Sequence, residues 1–200
     1  EMLRSLVGSE MCIRDSPRTC RELSCRVEGI DPRLMGLDSP ITLGEIDMQP
    51  IPTSHDAPGS CGWRLDTESG SVGFLTDTGY VTDEALDLLP GVDFVILESN
   101  HDVESLCSGP YPYYLKQRIL GLQGHLCNED AAHFAVTLAE NGASDIVLAH
   151  LSRDNNTPTM ALNAVAAALD GAGLAPELSV APRDTVGPCH IVRRRALCKR

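Results

Sequence analysis

Gly73-Phe74-Leu75-Thr76-Asp77-Thr78-Gly79-Tyr80 is an apolar run that stops on a carboxylate set between two threonines and followed by glycine. A carboxylate at the end of a buried strand is costly to leave alone, so Asp77 is expected to have a metal, a base or a cluster of donors as its partner. Three other runs end in the same manner. Met48 to Thr53 leads into Ser54-His55-Asp56, Phe94 to Leu97 into Glu98-Ser99-Asn100-His101-Asp102, and Ile146 to Ala149 into His150. Ligand sites of α/β proteins gather beyond the carboxyl ends of strands, so the four ends are expected to face one pocket. Two histidines and an aspartate among them point to a metal site.

The composition bounds the reading. Two hundred residues, 42% hydrophobic and 22% charged, make one soluble globular domain with room for a real core. No apolar run approaches the length that crosses a bilayer, so no membrane partner is expected. A formal charge of -12 excludes nucleic-acid binding through a broad basic face. It leaves room for a nuclease, because bound divalent cations reverse the local charge. Eight scattered cysteines without a Cys-x-x-Cys pair read as reduced thiols of a cytoplasmic protein.

The pattern of elements is α/β. Thr19 is expected to cap a helix to about Val27, Glu45 to Thr53 to form a strand, and Gly62–Asp66 with Ser71–Thr76 a hairpin. Thr82 followed by two acids starts a helix, Tyr113 to Leu120 forms another, and Asn128 caps a longer one to about Glu140. Asp145 to Ala149 is a strand, and Thr157-Pro158 opens a helix through Leu169. Leu178–Val180 and Cys189–Val192 are expected as final strands. Strands alternating with helices imply layers of sheet and helix.

The motifs Ser54-His55-Asp56-Ala57, Leu75-Thr76-Asp77-Thr78-Gly79-Tyr80-Val81, Glu98-Ser99-Asn100-His101-Asp102, Gly109-Pro110-Tyr111-Pro112, Gly124-His125-Leu126-Cys127-Asn128-Glu129 and Ala149-His150-Leu151-Ser152-Arg153-Asp154-Asn155-Asn156 occur in that order. Together they resemble the metallo-β-lactamase-fold hydrolases, and more narrowly the YycJ (WalJ) branch. The resemblance implies an αββα sandwich and two divalent metal ions, zinc, manganese or iron. It implies that His55 binds the first metal, that Asp77 bridges both and that His150 binds the second. A bridging carboxylate keeps two cations close enough to hold and activate one hydroxide, which would attack a phosphodiester, DNA being the foremost candidate. The same fold also suits hydrolysis of a small thioester, lactone or cyclic phosphate.

The superfamily signature His-x-His-x-Asp-His is absent from this sequence. Residues 6–16, Leu6-Val7-Gly8-Ser9-Glu10-Met11-Cys12-Ile13-Arg14-Asp15-Ser16, resemble a translated sequencing adapter, and residues 1–16 are therefore expected to be foreign to the native chain. On that reading 17–192 is a partial hydrolase domain lacking its N-terminal strands and first metal motif, and 193–200 is a basic tail. The fragment by itself is expected to be inactive.

The remaining candidates carry alternatives. Asp77 also suits capping of the turn at Thr78-Gly79. His101 and His125 either meet a substrate phosphate, donate a proton as catalytic residues or orient a metal ligand. Asn155 and Asn156 either contact substrate or order the loop after His150. Lys116 and Arg118 suit a phosphate or a solvated helix face, and Tyr111, Tyr113 and Tyr114 a base or packing around the prolines. His133 and His190 read as structural, and Cys127 as a weak catalytic candidate.

Overall fold

The computed structural model describes residues 13–30, 34–36 and 39–194. Most of the adapter-like stretch and the end of the basic tail lie outside these residues. The described elements are β1 (Ile13–Asp15), α1 (Pro17–Arg26), β2 (Leu34–Gly36), β3 (Ile41–Leu43), β4 (Ile46–Pro52), β5 (Cys61–Asp66) and β6 (Ser71–Leu75). There follow α2 (Asp83–Leu88), β7 (Phe94–Glu98), α3 (Val103–Ser108), α4 (Tyr113–Leu120), α5 (Asn128–Glu140), β8 (Asp145–Ala149), α6 (Pro158–Gly171) and β9 (Glu177–Val180).

Strands β3 to β9 form one seven-stranded sheet in sequence order, and β1 pairs separately with β2. The first four strands are an antiparallel meander, and β6 to β9 run parallel. This switch decides where the site lies. Leu75 pairs with Leu97 and Glu98 with Ala149, so β6, β7 and β8 end level with one another. Two antiparallel steps return β4 to the direction of β6, so Pro52 reaches the same edge. His55, Asp77, Glu98 and His150 all sit at or just beyond that edge, as the four run ends predict.

Side chains alternate across the sheet. Ile51, Leu75, Val95, Leu97, Ile146 and Leu148 are buried against Ala131, Ala135, Leu138, Ala161 and Val165. This is the main core, and α5 and α6 pack on each other above it. On the opposite face Trp63 pairs with Phe74, and Phe74 with Ile96; Phe74 is 37% exposed there. The ring of His190 lies against Phe94 on the same face, with 5.1 Å between ring centres.

Helix starts follow the chemistry of free N–H groups. Thr82 Oγ1 accepts from Ala85 N at 3.2 Å and Thr157 Oγ1 from Met160 N at 3.2 Å, as expected from sequence. Three expectations are corrected. Ser16, not Thr19, caps α1, because Pro17 suits the first helical position and brings the start forward. Cys127 caps α5 through Sγ, which accepts from Asp130 N at 3.4 Å, and this frees Asn128 for the interior. Residues 189–192 form no strand. Four elements went unread: β1, β2 and β3, each three residues long, and α3, capped by Asp102 Oδ1 accepting from Ser105 N at 2.7 Å.

Candidate metal centre

Asp77 and His150 are the two non-glycine residues with positive φ among the described residues, at 57° and 58°. Both follow parallel strands. A left-handed residue there turns the chain at once and presents the side chain over the strand ends, at a conformational cost that sites characteristically tolerate.

The two histidines converge on one carboxylate oxygen. His55 Nε2 and His150 Nε2 each lie 3.7 Å from Asp77 Oδ1. Each imidazole is fixed from behind: His55 Nδ1 donates to Gly124 O at 3.0 Å and His150 Nδ1 to Glu98 Oε1 at 2.8 Å. A proton held on Nδ1 leaves the Nε2 lone pair facing Asp77, the arrangement a ligating histidine requires. Ligands about 2.1 Å from one ion at angles near 120° stand about 3.6 Å apart, so each His–Asp pair has the spacing of a shared cation. Compact groups of mutually close ligand atoms are formed by His55, Asp77 and His125, and by Glu98, His125 and His150. The two groups share His125, and Asp77 belongs to the first of them. The residues present therefore fit a divalent metal ion.

Glu98 is the residue whose role the sequence did not disclose. It is fully buried, and Oε1 accepts from both His125 Nδ1 and His150 Nδ1 at 2.8 Å. Oε2 accepts from Thr78 N at 2.9 Å and Leu126 N at 3.4 Å. Burial pushes the carboxyl upward, but the bonds from His125, His150 and Thr78 outweigh it and hold Glu98 below the usual range. The Glu98 bond raises His150 in turn, against its burial. A signal existed: β7 ends on an acid, as the β6 run does.

The other candidates divide by position. A cavity of about 370 Å³ is bounded by His55, Asn100, Tyr111, Arg118, His125 and His150. His125 is thus on the wall, beside Asp77. His101 is 1% exposed, off that wall, and neither ring nitrogen has a hydrogen-bond partner among the described residues. Burial lowers its basicity, and His125 adds to this. Asn155 and Asn156 are also buried and off the wall. Asn156 Nδ2 donates to Ser99 O at 2.8 Å and to Asn128 Oδ1 at 2.9 Å, and its Oδ1 accepts from Thr157 N at 2.9 Å. Asn155 O accepts from Asp102 N at 3.0 Å. Both asparagines order the loop after His150.

Lys116 donates to Cys107 O at 2.6 Å, away from the cavity, while Arg118 Nε donates to Asp56 Oδ2 at 2.6 Å on its rim. Tyr111 OH donates to Asp154 Oδ2 at 2.7 Å. Tyr113 and Tyr114 are 77% and 74% exposed instead of packed around the prolines. Burial pushes the Cys127 thiol up to about 12, which removes it as a nucleophile.

Parallel strands ending on His, Asp and His, with a carboxylate behind them, define a metal-binding α/β domain. The chain belongs to the β-lactamase superfamily: the profile of the Beta-lactamase superfamily domain matches residues 2–151. Its fold is that of the metallo-β-lactamases. The metallo-beta-lactamase fold protein YhfI from Bacillus subtilis superposes with a TM-score of 0.60 at 19% identity, over 88% of this chain and 64% of that one. In sequence, the chain is 39% identical over 132 residues to the exodeoxyribonuclease YycJ of Bacillus anthracis, covering 66% of this chain and 50% of that protein. It is 42% identical over 120 residues to the exodeoxyribonuclease WalJ of Streptococcus pneumoniae serotype 2 (strain D39 / NCTC 7466), covering 60% and 45%. The chain spans about half the length of these curated relatives.

Six cysteines among the described residues, Cys20, Cys25, Cys61, Cys107, Cys127 and Cys189, carry free thiols. No helix among the described residues is long and apolar enough to cross a membrane.

Proposed function

We propose that this protein is a dinuclear metal-dependent phosphodiesterase that acts on DNA as an exonuclease in the cytoplasm. The observation that carries the reading is the approach of two imidazoles, each with its Nδ1 proton fixed, to the one oxygen Asp77 Oδ1 at 3.7 Å. Bound divalent ions, zinc, manganese or iron, supply Lewis acidity and water activation. The rest falls to the chain. His55, Asp77 and His150 hold the ions; Glu98 holds His150 and His125 in register; Arg118 offers a guanidinium at the rim for a phosphate. His125, on the cavity wall and backed by Glu98, delivers the proton to the departing oxygen. The catalytic role expected of His101 passes in this proposal to His125, because His101 is buried away from the cavity.

The test is Asp77→Ala in the full-length protein. Bound metal is expected to fall and nucleotide release from end-labelled DNA in Mn²⁺ to drop by at least about a thousandfold, as loss of metal-based charge stabilisation implies. Unchanged release would refute the mechanism. The proposal includes the foreign origin of residues 1–16, with 17–192 as the domain.

A further inference from the structure

We propose that a second cavity, across Arg118 from the metal centre, is the subsite for the nucleotide next to the scissile phosphodiester, with Tyr80 as its stacking platform. The inference rests on the DNA reading above and adds where the strand lies.

The two cavities share Arg118 and Gln123. The second, about 620 Å³, is bounded further by Ser54, Asp56, Tyr80 and Leu122. Arg118 is the wall between them. Its Nε is committed to Asp56 Oδ2 at 2.6 Å, which fixes the plane of the guanidinium. Among the described residues its two terminal nitrogens carry no further hydrogen bond, and the side chain is 63% exposed. That leaves one edge of a rigid fork for a phosphate.

Two exposed apolar groups adjoin it: Tyr80 at 43% and Leu122 at 73%. Base stacking on an exposed aromatic is how single strands are held without a basic surface. One placed cation and one ring suit a chain of net charge -12 better than a basic groove would. The floor is rigid. Ser54 Oγ donates to Leu122 O at 2.6 Å, and Thr78 Oγ1 donates to Tyr80 O at 2.6 Å. Gly79 lies so close to the Leu122 carbonyl that an added Cβ would collide with it. The subsite is therefore formed before any ligand arrives, and little ordering is needed on binding.

The experiment measures fluorescence anisotropy of a 5′-fluorescein thymidine trinucleotide with phosphorothioate links, in Mn²⁺, with thymidine monophosphate as competitor. Wild type is expected to bind the trinucleotide about tenfold more tightly than the monophosphate, the gain of about one stacked base. Tyr80→Ala should erase most of that preference, and Tyr80→Phe, which keeps the ring, should retain it. Arg118→Gln should weaken the trinucleotide and flatten its salt dependence by about 0.7 in log–log slope, one phosphate contact on a single strand. Equal loss of both ligands in Tyr80→Ala, or no loss of the trinucleotide, would overturn the subsite. Monophosphate binding with no gain for the trinucleotide refutes the subsite alone. Failure of both ligands to bind wild type refutes the subsite and the DNA reading together.

Discussion

Replacing Glu98 by Gln changes almost no volume and tests the centre at its support. Four donors meet this carboxylate, two imidazole N–H groups on Oε1 and two backbone N–H groups on Oε2. An amide offers only one oxygen. The backbone N–H groups of Thr78 and Leu126 cannot become acceptors, but an imidazole can, by moving its proton from Nδ1 to Nε2. The amide oxygen should therefore face the backbone and its NH₂ the two histidines. Stability then falls by only about 1–2 kcal/mol, the loss of charge-assisted bonds without an orphaned donor. Metal affinity falls further, because the Nε2 lone pair of His150 that faces Asp77 now carries a proton. A lost outer partner typically costs about 10- to 100-fold, or about 1.4–2.7 kcal/mol. Glu98→Ala removes both acceptor oxygens and should cost about 3–5 kcal/mol of folding stability, since several buried donors lose their partner. Urea unfolding, metal titration and ¹⁵N shifts of the imidazoles measure the three quantities. A Glu98→Gln protein with undiminished metal affinity and protons still on Nδ1 would refute the reasoning.

Asn156→Ala should destabilise by about 1–3 kcal/mol with little change in metal binding, because Ser99 O, Asn128 and Thr157 N lose a buried partner at once. Urea midpoints measure it, and a loss below about 0.5 kcal/mol would count against the buried network. In the metal-free protein, the bonds to Glu98 lower its pKa from 4.5 despite burial, and Glu98 raises that of His150 from 6.5. The Glu98 contribution is present above pH 4.5 and lost as pH falls through its lowered value; that of His150 is present below pH 6.5 and lost as pH rises through its raised value. Stability should therefore peak between these limits, and a flat profile from pH 4 to 8 would contradict the pairing. Gly124→Ala places a Cβ against the carbonyl of Ile119, so the loop must shift and carry with it the Gly124 carbonyl that holds His55. Weaker metal binding and a lower melting temperature are expected; retention of both would show the loop to be more yielding than its packing indicates.

The sequence by itself determined the strand ends. An apolar run that halts on His, Asp or Glu is a local pattern; the parallel pairing of β6, β7 and β8, and the two antiparallel steps that bring β4 to the same edge, are read only from the sheet. It also determined the caps Thr82 and Thr157, whose hydroxyls reach N–H groups three residues away. His55, Asp77 and His150 were legible because each stands directly after such a run. What needed the tertiary structure is whatever depends on residues far apart in the chain. Glu98 becomes a support only where His125, His150, Thr78 and Leu126 come together around it, and separations of 20 to 52 residues leave no trace in local pattern. Asn128 has the composition of a cap, yet a buried partner in Asn156 claimed it while Cys127 took the cap. His101 looked like one more polar residue at a strand end; the side chain is buried and off the cavity wall. Periodicity tells which residues leave water, and only the folded chain tells which of them then find a partner.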